Sequence, residues 1–267
     1  MKTLLILGDC QSNGNNCLAG DIVNDDAPRT WSLRFHNDFR SVFKWYLKHR
    51  KENNVTTPMP NGNMENVVWH YLWEEEQKAA WPNFLNVSNV VNISINGGHF
   101  IGHHKRLKQY LAENPKPDHV LVTDYTFSHI AHSFKYNNQR YVFERENYVD
   151  GEWNPDRYPI EVHKKRLNGI AFQKSQSKDW HIRRHRNGYN MLIKFLDSQN
   201  IKWTTVRFGD PNPDNSEIFK EFMHTGIDCT EYGKQYMSAN GENAKIKLSV
   251  QEKIATTIQE YLNSIVS

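Results

Sequence analysis

Residues 2–14 read K-T-L-L-I-L-G-D-C-Q-S-N-G, and the fold follows from how this stretch is interpreted. Leu4 to Leu7 form a short apolar run that stops at Gly8-Asp9-Cys10. An apolar run of that length, bounded by turn residues, predicts a strand buried on both faces. Gly8 permits a tight exit from the strand, and Asn13-Gly14 permits a second turn. A side chain carried on such an exit lies at the carboxyl end of a central strand, where open α/β sheets hold their ligands.

Cys10 is the residue of this stretch best suited to chemistry. A helix starting just after it would offer free N–H groups and the positive end of a dipole. Both favour the thiolate, the form that attacks carbonyls. The other interpretation is a small, half-buried, inert cysteine, and position alone leaves both open. Ser12 is a second candidate nucleophile that serves equally well as a helix cap.

The composition bounds the class. A chain of 267 residues fits one large α/β domain and leaves room for two small ones. A net charge of +3 is too mild to call for nucleic acid or an anionic membrane. The one lysine and four apolar residues at the start are too short for a signal-peptide core. No apolar stretch approaches the roughly 20 residues that span a bilayer. Three cysteines (Cys10, Cys17, Cys229) make no even disulfide framework, so reduced thiols in a cytoplasm are expected. Cys10 and Cys17 match no redox spacing.

Outward from the first strand, Asn15 to Asp26 reads as a loop and Trp31 to Arg50 as a helix. Its apolar residues Leu33, Phe35, Phe39, Val42, Phe43, Tyr46 and Leu47 recur at three- and four-residue steps, a packing stripe. Lys51 to Asn66 is a loop with two prolines, and Val67 to Ala80 a second helix. Val90 to Ile95 predicts the second strand, Ile101 to Glu113 a helix stopped by Asn114-Pro115, and His119 to Tyr125 the third strand. Phe134 to Lys178 reads as an irregular insertion or lid, or an oligomer contact. Trp180 to Gln199 predicts a long helix closed by Asn200, Ile201 to Phe208 a strand, and Ser216 to His224 a short helix. Leu248 to Ile265 predicts a closing amphipathic helix, with Ser249 and Glu252 spaced as a capping box. Strand, helix and strand with short connections predict a three-layer α/β/α sandwich around a mostly parallel sheet, with a fifth strand unplaced.

Two sets of motifs carry a resemblance. Gly8-Asp9-Cys10-Gln11-Ser12-Asn13-Gly14 resembles the first block of the SGNH (GDSL) hydrolases, Gly-Asp-Ser-x-x-x-Gly, with cysteine at the nucleophile position. Trp81-Pro82, then Asn92-x-Ser94-x-x-Gly97, then a helix, then Lys116-Pro117-Asp118 before an apolar strand, resembles the middle of the same family. The third block, Gly-x-Asn-Asp, is replaced by Tyr125-Thr126-Phe127-Ser128-His129, which is similar to a divergent branch frequent in bacteriophage genomes. The resemblance covers about half the chain: its start, Trp81 to Tyr125, and the last two helices. Relative to that frame, residues 21–80 and 134–178 are insertions in a single domain spanning 1–267.

The resemblance implies an SGNH-like, flavodoxin-like fold and acyl hydrolysis or transfer on an ester or acylated sugar. Cys10 would be the nucleophile, and Gly97 falls at the glycine whose N–H helps bind the oxyanion. Asp9, Ser12, Ser128 and Tyr125 complete the oxyanion and substrate-binding candidates. The family's Asp-x-x-His before the last helix is absent: Lys247 stands at the histidine position and Ala244 at the aspartate position. The base is then a desolvated Lys247, or a histidine such as His129, His99 or His103. A cysteine needs a weaker base than serine does. The rival reading is a non-catalytic member, a phage structural or carbohydrate-binding component. The expected partners are a small-molecule ester or a glycan, with no membrane and no nucleic acid, and a homo-oligomer or a place in a virion left open. The expected location is the cytoplasm, or the host cytoplasm or virion for a phage protein.

No cofactor and no metal is expected. His181 and His185 share a helix face at i, i+4, but no glutamate follows His181 in the metalloprotease pattern. Arg183, Arg184 and Arg186 make that helix basic, as a solvated face would be. The cluster is too small to argue for nucleic acid by itself.

Overall fold

The computed structural model describes residues 1–8, 12, 39–55, 64–94, 99–123, 132–143, 159–208, 223, 226–234 and 248–266. Five strands form an entirely parallel sheet: β1 (Thr3–Leu7), β2 (Asn89–Asn92), β3 (His119–Thr123), β6 (Lys202–Arg207) and β7 (Ile227–Asp228). Their spatial order is β2-β1-β3-β6-β7, the 2-1-3-4-5 order of flavodoxin-like sheets. β7 supplies the fifth strand that the sequence pattern left unplaced, and a short helix, α6 (Thr230–Lys234), follows it.

The helices fall into two outer layers, and the strand alternation explains why. Leu4 and Ile6 of β1 join Leu121, Val206 and Ile227 in one apolar cluster, which is closed by α7 (Leu248–Val266) and the 3₁₀ turn Trp81–Phe84. Leu5 and Leu7 join Val120 and Val122 on the opposite face, closed by α3 (Phe100–Glu113) and α5 (Lys178–Ser198). The four leucine and isoleucine side chains of β1 are fully buried, worth roughly 1.5–3 kcal/mol each. The molecule is thus a three-layer α/β/α sandwich with β1 and β3 side by side in its interior.

A third cluster stands apart from the sheet. α1 (Phe39–Glu52) and α2 (Met64–Lys78) pack Val42 and Tyr46 against Val68, Trp69 and Leu72. This confirms the stripe at Val42 and Tyr46, but Leu47 turns outward and is 42% exposed. Leu33 and Phe35 lie outside the described residues, as does the expected helix over 216–224 apart from Met223, which is buried and not helical.

The stretch read as irregular holds regular elements among its described residues. β4 (His132–Tyr136) and β5 (Gln139–Phe143) form an antiparallel hairpin, followed by α4 (Ile160–Lys174). The two hairpin residues Asn137 and Asn138 have φ of 47° and 62°. Both angles are left-handed, as a two-residue type I′ turn requires, and asparagine tolerates them. Ser249 lies inside the first turn of α7 rather than before it, so the capping box is not at that register. Asn200, with φ 51°, ends α5 as expected.

Asp118 fastens the opposite edge of the sheet. Its carboxylate accepts the backbone N–H of Lys2 and of Thr3, each at 2.7 Å. Those two bonds hold its pKa below the usual carboxylate range. Asp118→Ala is expected to lower stability by about 1 kcal/mol, read as a shift in the urea midpoint, because both donors can turn to water. An unchanged midpoint would show that the two bonds contribute nothing.

Candidate functional site

Parallel pairing brings the carboxyl ends of all five strands to one edge. Leu7 stands in register with Val122, Asn92 with Ile6, Thr123 with Val206, and Arg207 with Asp228. The chain leaving β1 is pinned at this edge to both neighbouring strands. Ser12 is fully buried, and its Oγ lies 3.4 Å from Oγ1 of Thr123 at the end of β3. The Asn92 side-chain amide at the end of β2 donates to the Ser12 carbonyl at 2.8 Å, and its Oδ1 accepts the Ser94 N–H at 3.0 Å. Ser12 therefore supports the turn, and its hydroxyl has no exposed surface with which to meet a substrate.

Gly8 makes this closure possible. A Cβ placed there would lie 2.2 Å from Ser12 Oγ and 2.6 Å from Thr123 Oγ1. The chain folds back over the strand end so closely that only glycine fits.

The amino end of α3 comes to the same edge after β2. His99 is its N-cap, in extended conformation, and His99 Nδ1 accepts the Gly102 N–H at 3.1 Å. One turn on, His103 is fully buried with Nδ1 3.2 Å from Nη2 of Arg106. Burial first, then the charges of Arg106 and His99, push the pKa of His103 well below its usual value. An asparagine or serine is the commoner N-cap, so a capping histidine carries no strong pattern in sequence.

On the outer strands, the buried Arg207 guanidinium pairs with Asp228. Asp228 also accepts the Thr230 N–H at 3.0 Å and the Thr230 hydroxyl at 2.6 Å. Burial pushes this carboxyl up, but the bonds from Thr230 and Arg207 outweigh it and hold the group below its usual pKa. Sequence reasoning missed this anchored carboxylate. Its local signal was Asp228-Cys229-Thr230, an Asx-type turn at the end of a strand.

Of the residues singled out from sequence, Ser12 is described. Cys10, Asp9, Gly97, Tyr125, Ser128, His129 and Lys247 lie outside the described residues, as does Cys17. Cys229 is buried in the core beneath α7. On α5, His185 is buried, Arg183 is exposed, and Arg184 lies over the Trp180 ring at 5.1 Å, so the basic stretch is solvated only in part. Among the described residues no group of three or more His, Cys, Asp or Glu could hold a metal ion. No described helix is long and apolar enough to cross a membrane.

No family model and no curated protein matches the chain. Among solved structures, it is similar to the psychrotrophic esterase EstA from Pseudoalteromonas sp., in a structure inhibited by monoethylphosphonate. The identity is 12% and the TM-score 0.40, over 100% of this chain and 99% of that one. A likeness at that level carries no argument about activity.

Proposed function

We propose that the chain is an SGNH-like acyl hydrolase or acyltransferase that uses Cys10 as its nucleophile on an ester or acylated sugar. One observation carries this reading: Gly8 and Ser12, which bracket the Asp9-Cys10-Gln11 segment, are both buried at the carboxyl edge of an all-parallel sheet. Covalent geometry keeps the Cys10 Cα within about 7.6 Å of the Cα of each, since successive Cα atoms are about 3.8 Å apart. That edge is where open α/β sheets bind ligands. Gly97 is tied in the same way, two residues before the capped start of α3.

In this reading the Cys10 thiolate adds to the ester carbonyl and forms an S–C bond, while backbone N–H groups of Cys10 and Gly97 receive the oxyanion. Collapse breaks the ester C–O bond, and the departing alkoxide takes a proton from Lys247, His129 or water. Water or an acceptor hydroxyl then adds to the thioester, releases the acyl product and returns the thiolate. Asp9, Ser128 and Tyr125 are the substrate-facing groups of the proposal. Ser12 enters as a buried support for the turn. In this reading the chain is one domain, with residues 21–80 and 134–178 as its additions.

Incubation with p-nitrophenyl acetate tests this directly. A burst of p-nitrophenol with acetyl on Cys10, abolished in Cys10→Ala, is the expected result. A burst that survives in Cys10→Ala, or none in the wild type, contradicts it. In the second case binding on a glycan array would favour the non-catalytic, carbohydrate-binding reading.

A further inference from the structure

The outer face of α1 carries a row of cations. Arg40, Lys44, Lys48 and Lys51 are all exposed. Their steps of four, four and three residues keep them within an arc of about 80°, in a row about 16 Å long. The placement does not serve the helix itself. Arg40 stands in the first turn, where the positive end of the dipole repels it, and no acidic residue offsets it there. Arg40 with Lys44, and Lys44 with Lys48, are like charges at i, i+4, which repel. Glu52, the single acid of α1, reaches Lys48 at 3.8 Å, but both side chains are more than half exposed and solvent screens the pair. Among the described residues Arg40, Lys44 and Lys51 make no ion pair. The whole-chain charge of +3 averages over this concentration.

We propose that this face of α1 docks on the phosphate backbone of duplex DNA, by charge and without reading sequence. Over about 16 Å one strand of a duplex presents about five phosphates, so a straight row of four cations meets a ladder of anions of similar length. Phe39, Phe43, Trp45 and Tyr46, the aromatic residues of α1, all belong to the cluster packed with α2. The cationic face therefore offers no ring on which an unstacked base could rest, as single-strand surfaces do. For the same reason α1 has no unused apolar face to sink into a membrane, where Leu47 alone would enter. None of the acyl-transfer residues takes part, so this surface stands whatever Cys10 does.

Fluorescence anisotropy of the full chain with a labelled duplex of about 24 base pairs, from about 50 to 200 mM KCl, measures the row directly. The expected dissociation constant is micromolar at about 50 mM. Four phosphate contacts predict a log–log salt slope of about −3.6, a loss of about a hundredfold over that range. Arg40→Gln with Lys44→Gln should bring the slope to about −1.8. Lys105→Gln with Lys194→Gln, which removes exposed lysines of α3 and α5, should leave it unchanged. All four side chains are exposed, so both double variants are expected to melt within about 2 °C of the wild type. Absence of duplex binding at about 50 mM KCl overturns the proposal, whether or not anionic phospholipid vesicles are bound instead. Equal slope changes in the two double variants overturn it as well, and so does tighter binding of a single strand of the same length.

Discussion

Gly8→Ala is expected to destabilise the protein by about 3 kcal/mol, the upper end of overpacking costs in a filled interior. The added methyl would meet Ser12 Oγ at 2.2 Å, Thr123 Oγ1 at 2.6 Å and Ser12 Cβ at 2.8 Å. Neither neighbour can swing aside cheaply. Ser12 is held through its carbonyl by Asn92, and Thr123 sits on the central strand β3 with no exposed surface. For a chain of this size the loss corresponds to a melting point lower by about 6–12 °C. Adding Ser12→Gly removes two of the three clashing atoms, so the double variant should recover part of the loss. A melting point within about 2 °C of the wild type in Gly8→Ala would show that the turn after β1 has room to move.

Acid sensitivity is the second large effect, and His119 is one source of it between pH 7 and 4. Its Nε2 lies 2.8 Å from Thr204 Oγ1 on the neighbouring strand, and the residue is 5% exposed. Burial first, then the charge of Lys202, lowers its pKa from 6.5 to about 4. The unfolded chain therefore binds a proton between those values and the folded chain does not. Stability is fully present above about pH 6.5 and falls as the pH drops, by about 3 kcal/mol at pH 4. The buried His103 adds a loss of the same sign. The checking experiment compares urea midpoints of the wild type and His119→Gln from about pH 7 to 4. The variant should lose less of its stability over that range, the share from His103 remaining, and equal slopes would contradict the assignment.

The sheet was legible because β1 and β3 are buried on both faces. Leu4–Leu7 and His119–Thr123 are uninterrupted buried runs, and such runs declare themselves without neighbours. Strand β2 ends at Asn92, whose side chain bonds Ser12 and Ser94, and Ile95 of the run that announced it lies outside the described residues. The β4–β5 hairpin was missed because its signal is two asparagines rather than a glycine pair.

The site was less legible, since its geometry joins residues far apart in the chain. Ser12 is recognisable as a hydroxyl near a strand exit, but only the approach of Thr123 and Asn92 shows that it is a buried pin. His99 is recognisable as a histidine near the edge, but its proton position depends on which group meets Nδ1. Asp118 stood in a Lys-Pro-Asp turn, and its partners Lys2 and Thr3 lie more than a hundred residues earlier.

The rate of Cys10 alkylation by iodoacetamide, followed by peptide mass spectrometry across about pH 5 to 9, reaches the centre of the account. A thiolate stabilised at the sheet edge should reach half its limiting rate below about pH 7.5, a full unit under a free cysteine. A half-maximal rate at or above about pH 8.5, or no modification of the folded chain, would contradict it.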